Sequence, residues 1–492
     1  MQLIQLLTIG LMLGMTFVIY KALGPARKTL LYTRDEKGKW DAFIKDSVAG
    51  GWLTIANVVG TLTSLAGAYV FFIGSSKLFG YWIFICSLSI VLGAWVTNVV
   101  TKRIMDSPRL AALLESPDQT GGVIASVFWD EDLNSRRTAR LVKWVSILNL
   151  GALLWMEFSV FALIAERLLH VESFIWAAPI LLFACCFTVV LFTLRYGLRG
   201  FVFADLFQSP MILLAAVGIL GGCIVFASHN WGSLPPIKTI AAPWLSTRAC
   251  VLFALHNICL NGLLMLVTES HWLRLWIFRE RETRKLIQSS LWTGVVWVPL
   301  SVIGFMAYYA SGKDPGLDAV AGLLDKLNDF SIVFSAVFWI GGIAALFSTT
   351  DATFYSLLVV HGFDSNSGKL RDRVMANIRP GVTAVVISAA VAGCYAVLFQ
   401  WLKLPIEKFL FIVFPLPLNL FPAFVRAFRG LPQRPWYIVI ALLLYLFCAV
   451  KGLRQPQLQF EWTLAAALVP IGVGFIAAFG RRPPKADIKA DA

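Results

Sequence analysis

The chain has 492 residues, of which 58% are hydrophobic and 14% charged, with a formal net charge of +14. Soluble globular proteins carry about a quarter charged residues, so the composition excludes a soluble domain and, with it, the nucleic-acid partner that so basic a soluble chain would imply. Apolar runs of about 20 residues, the length of a bilayer-crossing helix, recur from end to end, and the mean hydropathy is +0.75; the fold class is an all-α polytopic membrane protein set in a lipid bilayer.

The first apolar run, residues 2–23, has no early Lys or Arg, and Lys21, Arg27 and Lys28 mark its end. That order reads as a retained helix and not a cleaved signal. Further spans follow at about 52–76, 80–101, 140–166, 172–194, 201–227, 247–268, 287–310, 331–360, 380–401, 406–427, 436–451 and 459–480, about thirteen transmembrane helices in all. With the connections assigned to alternate sides, 32 of the 42 Lys and Arg fall on one side. The positive-inside rule then puts the N-terminus outside and the C-terminus in the cytoplasm. In the long loop at 101–139, SPRLAALLES reads as a short surface helix. Cys86, Cys185, Cys186, Cys223, Cys250, Cys259, Cys394 and Cys448 lie in or beside apolar spans without metal-ligand spacing. They read as small core residues with no disulfide framework.

Two spans are rich in residues that interrupt helices. Span 52–76 holds Gly60, Gly67 and Gly74 among hydroxyl residues, and span 406–427 holds Pro415, Pro417 and Pro422. Freed carbonyls at membrane depth are tolerated where they line a cavity or hold an ion; a structural kink is the plainer reading. The stretch Gly341 to Val360 is one long apolar helix with a polar notch, Ser348, Thr349, Thr350 and Asp351. Ala345, Ser348, Thr349, Ala352 and Ser356 recur at helical spacings of three and four. Such a face suits either a small hard cation or close helix packing.

The intramembrane acids divide similarly. Glu157, in mid-span, reads as cavity-facing or as a structural acid, and Asp205 as a residue that accepts a bond at a helix start. Glu269 and His271 sit where a span ends. His256 and Asn257, in mid-span, fit a substrate cavity or a helix–helix hydrogen bond. The chain has no HExxH, no GxSxG and no P-loop, so it does not read as an enzyme.

Three stretches resemble the solute:sodium symporters, relatives of the bacterial proline and sugar symporters and of the sodium/glucose cotransporters. YGLRGFVFADLFQS (196–209) is similar to that family's fifth core helix, AALFSTTDA (344–352) to its eighth, and ESHWLRLWIFRERETRKL (269–286) to its sixth. The resemblance implies the LeuT-type fold, an inverted repeat of five plus five helices. On this chain it implies a leading helix (1–24), repeats at 50–228 and 245–428, two trailing helices (435–480) and a tail (481–492).

The resemblance also implies alternating access in a bacterial cytoplasmic membrane, with sodium and a small organic solute moved together. It implies a sodium site formed by Ser348, Thr349, the Ala345 carbonyl and carbonyls near Leu62 and Leu65, with Asp205 on the ion's exit path. Glu157, Thr268, Glu269, His256, Asn257 and Gly67 form the expected solute site. The chain departs from the family at Thr268 and Glu269, which replace an Asn-Gln pair, and at Glu157, which replaces a common Gln. Asp351 replaces a small or apolar residue. These departures point away from sugar and towards an organic or amino-acid-like solute that is cationic or amine-bearing. The alternative is a transporter-like sensor or structural subunit without flux.

The charge bias is directly testable. A single cysteine placed at Ala490 of a cysteine-free chain should resist an impermeant thiol reagent in intact cells and react after permeabilisation; labelling from outside would invert the topology.

Overall fold

The computed structural model describes residues 62–105, 122–168, 176–230, 236–278, 282–311, 316–371, 379–456 and 459–479, with Gly10, Gly14, Val18, Ile55 and Val59 before them. The expected leading helix, the SPRLAALLES segment and the tail lie almost wholly outside these residues. Each of the other twelve expected spans holds a helix.

Helix α1 (66–79) opens as a π-helical stretch, Ala66–Gly74, and closes as Ser75–Phe79. Gly80, at φ 55°, turns the chain back, and a side chain there would meet the Ala241 carbonyl at 2.5 Å; only glycine fits both demands. Helices α2 (Ile85–Met105), α3 (Ile124–Phe128) and α4 (Leu133–Leu168) follow. Helices α5 (Ala177–Gly197) and α6 (Ala204–His229) are separated at Gly197, φ 59° and ψ −148°. Next come α7 (Thr247–Val267), α8 (Glu269–Phe278), α9 (Glu282–Ser311), α10 (Leu317–Asn328) and α11 (Val333–Gly362). A two-stranded antiparallel hairpin, β1 (Phe363–Asp364) with β2 (Lys369–Leu370), leads to α12 (Pro380–Trp401). The chain ends in α13 (Ile406–Phe428), interrupted near Pro415, then α14 (Trp436–Arg454) and α15 (Glu461–Ala477).

The bundle is apolar outside as well as inside. Leu88, Leu214, Leu443 and Phe475 are each more than 60% exposed, a surface that water would not tolerate but acyl chains solvate. Inside, Phe71, Phe79, Phe253 and Phe411 form one aromatic cluster, the Phe79 and Phe253 rings stacked at 3.8 Å between centroids. All eight cysteines are free thiols.

Two buried lysines hold connections in place. Lys408 Nζ donates to the carbonyls of Gly452, Gln455 and Pro456 at 2.7–3.1 Å. Lys77 Nζ donates to those of Thr239, Ile240 and Ala242 at 2.9–3.1 Å. In each case an ammonium satisfies carbonyls at the end of a helix, where the dipole is negative. Helix α10 was not expected from span length. Its apolar residues Leu317, Val320, Leu323, Leu324 and Leu327 face the bundle, and Asp318 pairs with Arg167 of α4. Its start lies against the end of α1, since a Cβ on Gly74 would stand 3.4 Å from the Gly316 backbone.

Helices α2 and α7 approach so closely that a Cβ on Gly93 would lie 1.9 Å from the Asn261 carbonyl oxygen. Gly93→Ala should therefore destabilise the protein by about 1–3 kcal/mol, the cost of overpacking. Gly151→Ala, with open space at its Cβ, should not. Comparative thermal unfolding in detergent checks the pair.

Candidate functional site

Besides the breaks at Gly197 and Pro415, two more interruptions lie among the described helices. Before α1, Leu62 is helical and Thr63 and Ser64 are not. Hydroxyl side chains offer the backbone local alternatives to the helical ladder, and Ser64 takes that option: its Oγ accepts the Gly67 N–H at 2.8 Å, and its carbonyl accepts the Ala68 N–H at 2.7 Å. The Ala66 N–H goes to Glu157 Oε2 of α4 at 3.0 Å. The second interruption is Thr268, extended at φ −104° and ψ 123° between α7 and α8. The Leu266 carbonyl freed there accepts the Trp272 indole N–H. Thr268 Oγ1 has no hydrogen-bond partner among the described residues.

Between the two interruptions lies a cavity. Its walls come from α1 (Gly67, Phe71, Phe72), α4 (Asn149, Leu153), α7 (Asn257, Asn261), α9 (Trp297), α11 (Thr349, Thr353) and α13 (Phe414, Pro417), with Leu62, Ser64, Thr268, Ser270 and His271 at the breaks. Among the described lining residues none is Lys, Arg, Asp or Glu. Of the expected solute-site residues, Gly67, Asn257 and Thr268 line this space. Glu157 lies two turns along α4 from Asn149 and one from Leu153, on the same face. Glu269 is turned elsewhere: its Oε2 accepts the Ile124 N–H of α3 at 2.9 Å. His256 also points away, with Nδ1 against the Leu464 carbonyl of α15 at 3.1 Å and its ring against Phe411. Asn149, Asn261, Trp297 and Thr353 were not anticipated. Asn149–Leu153–Glu157, at i, i+4 and i+8, is the spacing that could have found the first.

The polar notch of α11 divides between two directions, because consecutive helical residues point about 100° apart. Ser348 Oγ donates to Asp205 Oδ1 of α6, both residues fully buried. Thr349 lines the cavity. Thr350 Oγ1 is spent on the Leu346 carbonyl of its own helix at 2.7 Å, and Asp351 Oδ1 accepts the Ala352 N–H at 2.6 Å. Ala345 and Leu65 are buried close by, and Leu62 edges the cavity. Small residues let the helices meet here: a Cβ on Gly341 would lie 2.3 Å from Ala215 Cβ of α6, and one on Gly342 3.4 Å from Leu65 Cδ1. Tyr69 Oη, donating to the Phe338 carbonyl at 2.9 Å, joins α1 to α11. Asp205, expected along an exit path, thus stands in contact with Ser348 itself. Ser348 Oγ and the Asp205 carboxylate are oxygen donors of the kind that suits a hard cation.

Comparison with solved structures gives a fold. The chain is similar to a Na+-coupled sialic acid symporter, solved substrate-bound and outward-open with a novel Na+ site, at 13% identity over 96% of this chain and 97% of the other, with a TM-score of 0.63. It is also similar to MhsT in complex with L-phenylalanine, at 13% identity over 88% of this chain and 99% of that one, TM-score 0.45. A nucleobase-cation-symport-1 family transporter with bromovinylhydantoin bound matches at 15% identity over 87% and 92%, TM-score 0.42. No family model and no curated protein matches the chain. The protein is an all-α, multi-pass membrane protein of LeuT-type fold.

A buried hydroxyl without a partner carries an uncompensated desolvation penalty. Thr268→Val should therefore leave thermal stability equal to the parent's or raise it, by up to about 1–3 kcal/mol. A loss of stability would mean that Thr268 Oγ1 is bonded.

Proposed function

We propose that this protein is a sodium-coupled symporter of a small organic solute, working by alternating access. The observation that carries the reading is the buried contact between Asp205 of α6 and Ser348 of α11, on the helix whose Thr349 lines the same cavity as Leu62 and Ser64. In this reading the Ser348 and Thr349 hydroxyls, the Asp205 carboxylate and the carbonyls of Ala345, Leu62 and Leu65 hold one sodium ion. Asp205 supplies the countercharge that a buried cation needs, and Ser348 turns its proton away from the ion. The fold shared with a Na+-coupled symporter supports the assignment.

The chemistry asked of the chain is binding, not bond-making. Sodium at this site ties the start of α1 to the middle of α11, and the cavity beside it, reached by Thr349 on the same helix, takes the solute. An ion moves a conformational equilibrium only through its different affinities for the two states. Sodium then favours the state in which α1 lies against α11, and its departure frees them to separate. The linkage is reciprocal, so solute tightens sodium as sodium tightens solute. In this reading the ion is released towards the cytoplasm of a bacterial cell, the side to which the charge bias assigns the C-terminus.

Removing one hydroxyl ligand should cost about 1–1.5 kcal/mol of ion binding, or about a tenfold rise in the sodium needed for half-maximal effect. Ser348→Ala and Thr349→Ala should both show that rise when thermal stability is titrated with NaCl at ionic strength held constant with KCl. Asp205→Asn should show a larger one, and Thr350→Ala, whose hydroxyl is spent on Leu346, little. A parent protein whose stability is the same in sodium and potassium would end the symport reading and leave a small-residue packing face.

A further inference from the structure

A helix interrupted within a bundle offers its first N–H groups and the positive end of its dipole to an anion, and the half-helices of transporters receive anionic solute groups in this way. Here the chain fills that position itself. The first three donors of the Ala66–Gly74 stretch are taken by Glu157 Oε2, by Ser64 Oγ and by the Ser64 carbonyl, at 3.0, 2.8 and 2.7 Å. Glu157 is fully buried, and no described residue lining the cavity is Lys or Arg. A carboxylate or phosphate entering the cavity would find the donors at that helix end already held by Glu157 and Ser64, with no Lys or Arg among the described lining residues.

The carboxamides on the opposite wall are arranged to the same effect. Asn257 Nδ2 donates to the Phe253 carbonyl at 2.9 Å, and since that oxygen can only accept, the amide has one orientation. Asn261 Nδ2 donates to Ser89 Oγ at 2.9 Å, and Ser89 gives its own proton to the Cys86 carbonyl at 3.0 Å, so this amide is fixed as well. Each NH2 group thus gives a proton to the protein, which leaves the carboxamide Oδ1 as the acceptor end of each side chain. The remaining walls include Phe71, Phe72, Trp297 and Phe414, surfaces that suit an apolar or aromatic body.

We propose that the cavity selects a nitrogen-bearing solute, an amine or an amide, that donates N–H hydrogen bonds, carries an apolar or aromatic body and has no acid group. Glu157 is the specificity-determining residue, excluding carboxylates by occupying the end of the interrupted helix. This rests on the cavity being the solute site, as proposed above, and not on what ion drives transport.

Three probes on one scaffold test the class: 2-phenylethylamine, phenylacetamide and phenylacetate, each titrated against the full chain at constant sodium with thermal stability as the readout. The amine or the amide should bind about tenfold or more tightly than phenylacetate, the worth of one polar contact; whichever of the two leads gives the charge of the donor nitrogen. Phenylacetate binding as tightly as the better of them, or no stabilisation by either, overturns the class. In Glu157→Gln, which keeps an acceptor for Ala66, discrimination against phenylacetate should fall several-fold; unchanged discrimination overturns the role of Glu157. Acetate is the second probe. Exchanged for chloride at fixed sodium, it should stabilise Glu157→Ala, whose helix end is vacated, and leave the parent unmoved. An equal effect on the parent, or none on folded Glu157→Ala, also overturns the proposal. Because sodium is constant in every arm, a failed symport reading and a failed solute class give different results.

Discussion

Backbone polar groups inside a bilayer find their partners within the protein or cost several kcal/mol each, and two helices of this bundle stop short of finding them along their own axes. Thr63–Ser64 and Thr268 are two of the places where the ladder ends, Pro415 of α13 being another. What surrounds each break follows from the groups left over. Ser64 and Glu157 take the N–H groups before α1, and the Trp272 indole takes the carbonyl of Leu266 after α7. The cavity lies between the two because unwound backbone needs room that packed helices do not leave. Helix α11 is drawn against one of them by glycines, at Gly341 and Gly342, whose missing side chains are what let Ala215, Leu65 and Tyr69 approach.

The acids gathered around these breaks are poor candidates for stabilising the fold. A buried carboxylate carries a large desolvation penalty, repaid only by partners that suit its charge. Glu157 and Glu269 are buried carboxyls that accept the backbone N–H groups of Ala66 and Ile124. Lys77, Lys408 and Arg426, the buried cations, are spent on carbonyls at helix ends and loops, away from these acids. Polar groups kept at such cost in a membrane usually serve an ion or a solute. The sodium reading and the solute reading assign them different tasks: Asp205 answers the cation, and Glu157 holds the place of an anion.

The helical architecture was legible because a bilayer imposes one rule on every span: about 20 apolar residues per crossing. What that rule does not cover was harder to read. Helix α10 is too short and too polar on one side to register as a span, although Leu317, Val320, Leu324 and Leu327 repeat at helical spacing. The site was legible as composition and less so as geometry. Ser348 and Thr349 were grouped on one face, and the 100° between neighbours sends one to Asp205, 143 residues earlier in the chain, and the other into the cavity. Periodicity places His256 on a helix but cannot say that its ring faces α15, since that depends on which neighbour packs there. The i, i+4, i+8 series Asn149–Leu153–Glu157 was readable, and marks the α4 wall of the cavity more directly than Glu157 alone.

The central claim is that sodium bridges the interruption before α1 to the middle of α11. Amide hydrogen exchange over residues 62–67, followed by mass spectrometry on the purified full chain in NaCl and in KCl of equal ionic strength, tests it most directly. Exchange reports local opening of backbone hydrogen bonds, and a bound ion withdraws the carbonyls at Leu62 and Leu65 from that opening. The account predicts slower exchange in sodium over 62–67, an effect lost in Ser348→Ala. Equal exchange in the two salts would contradict it.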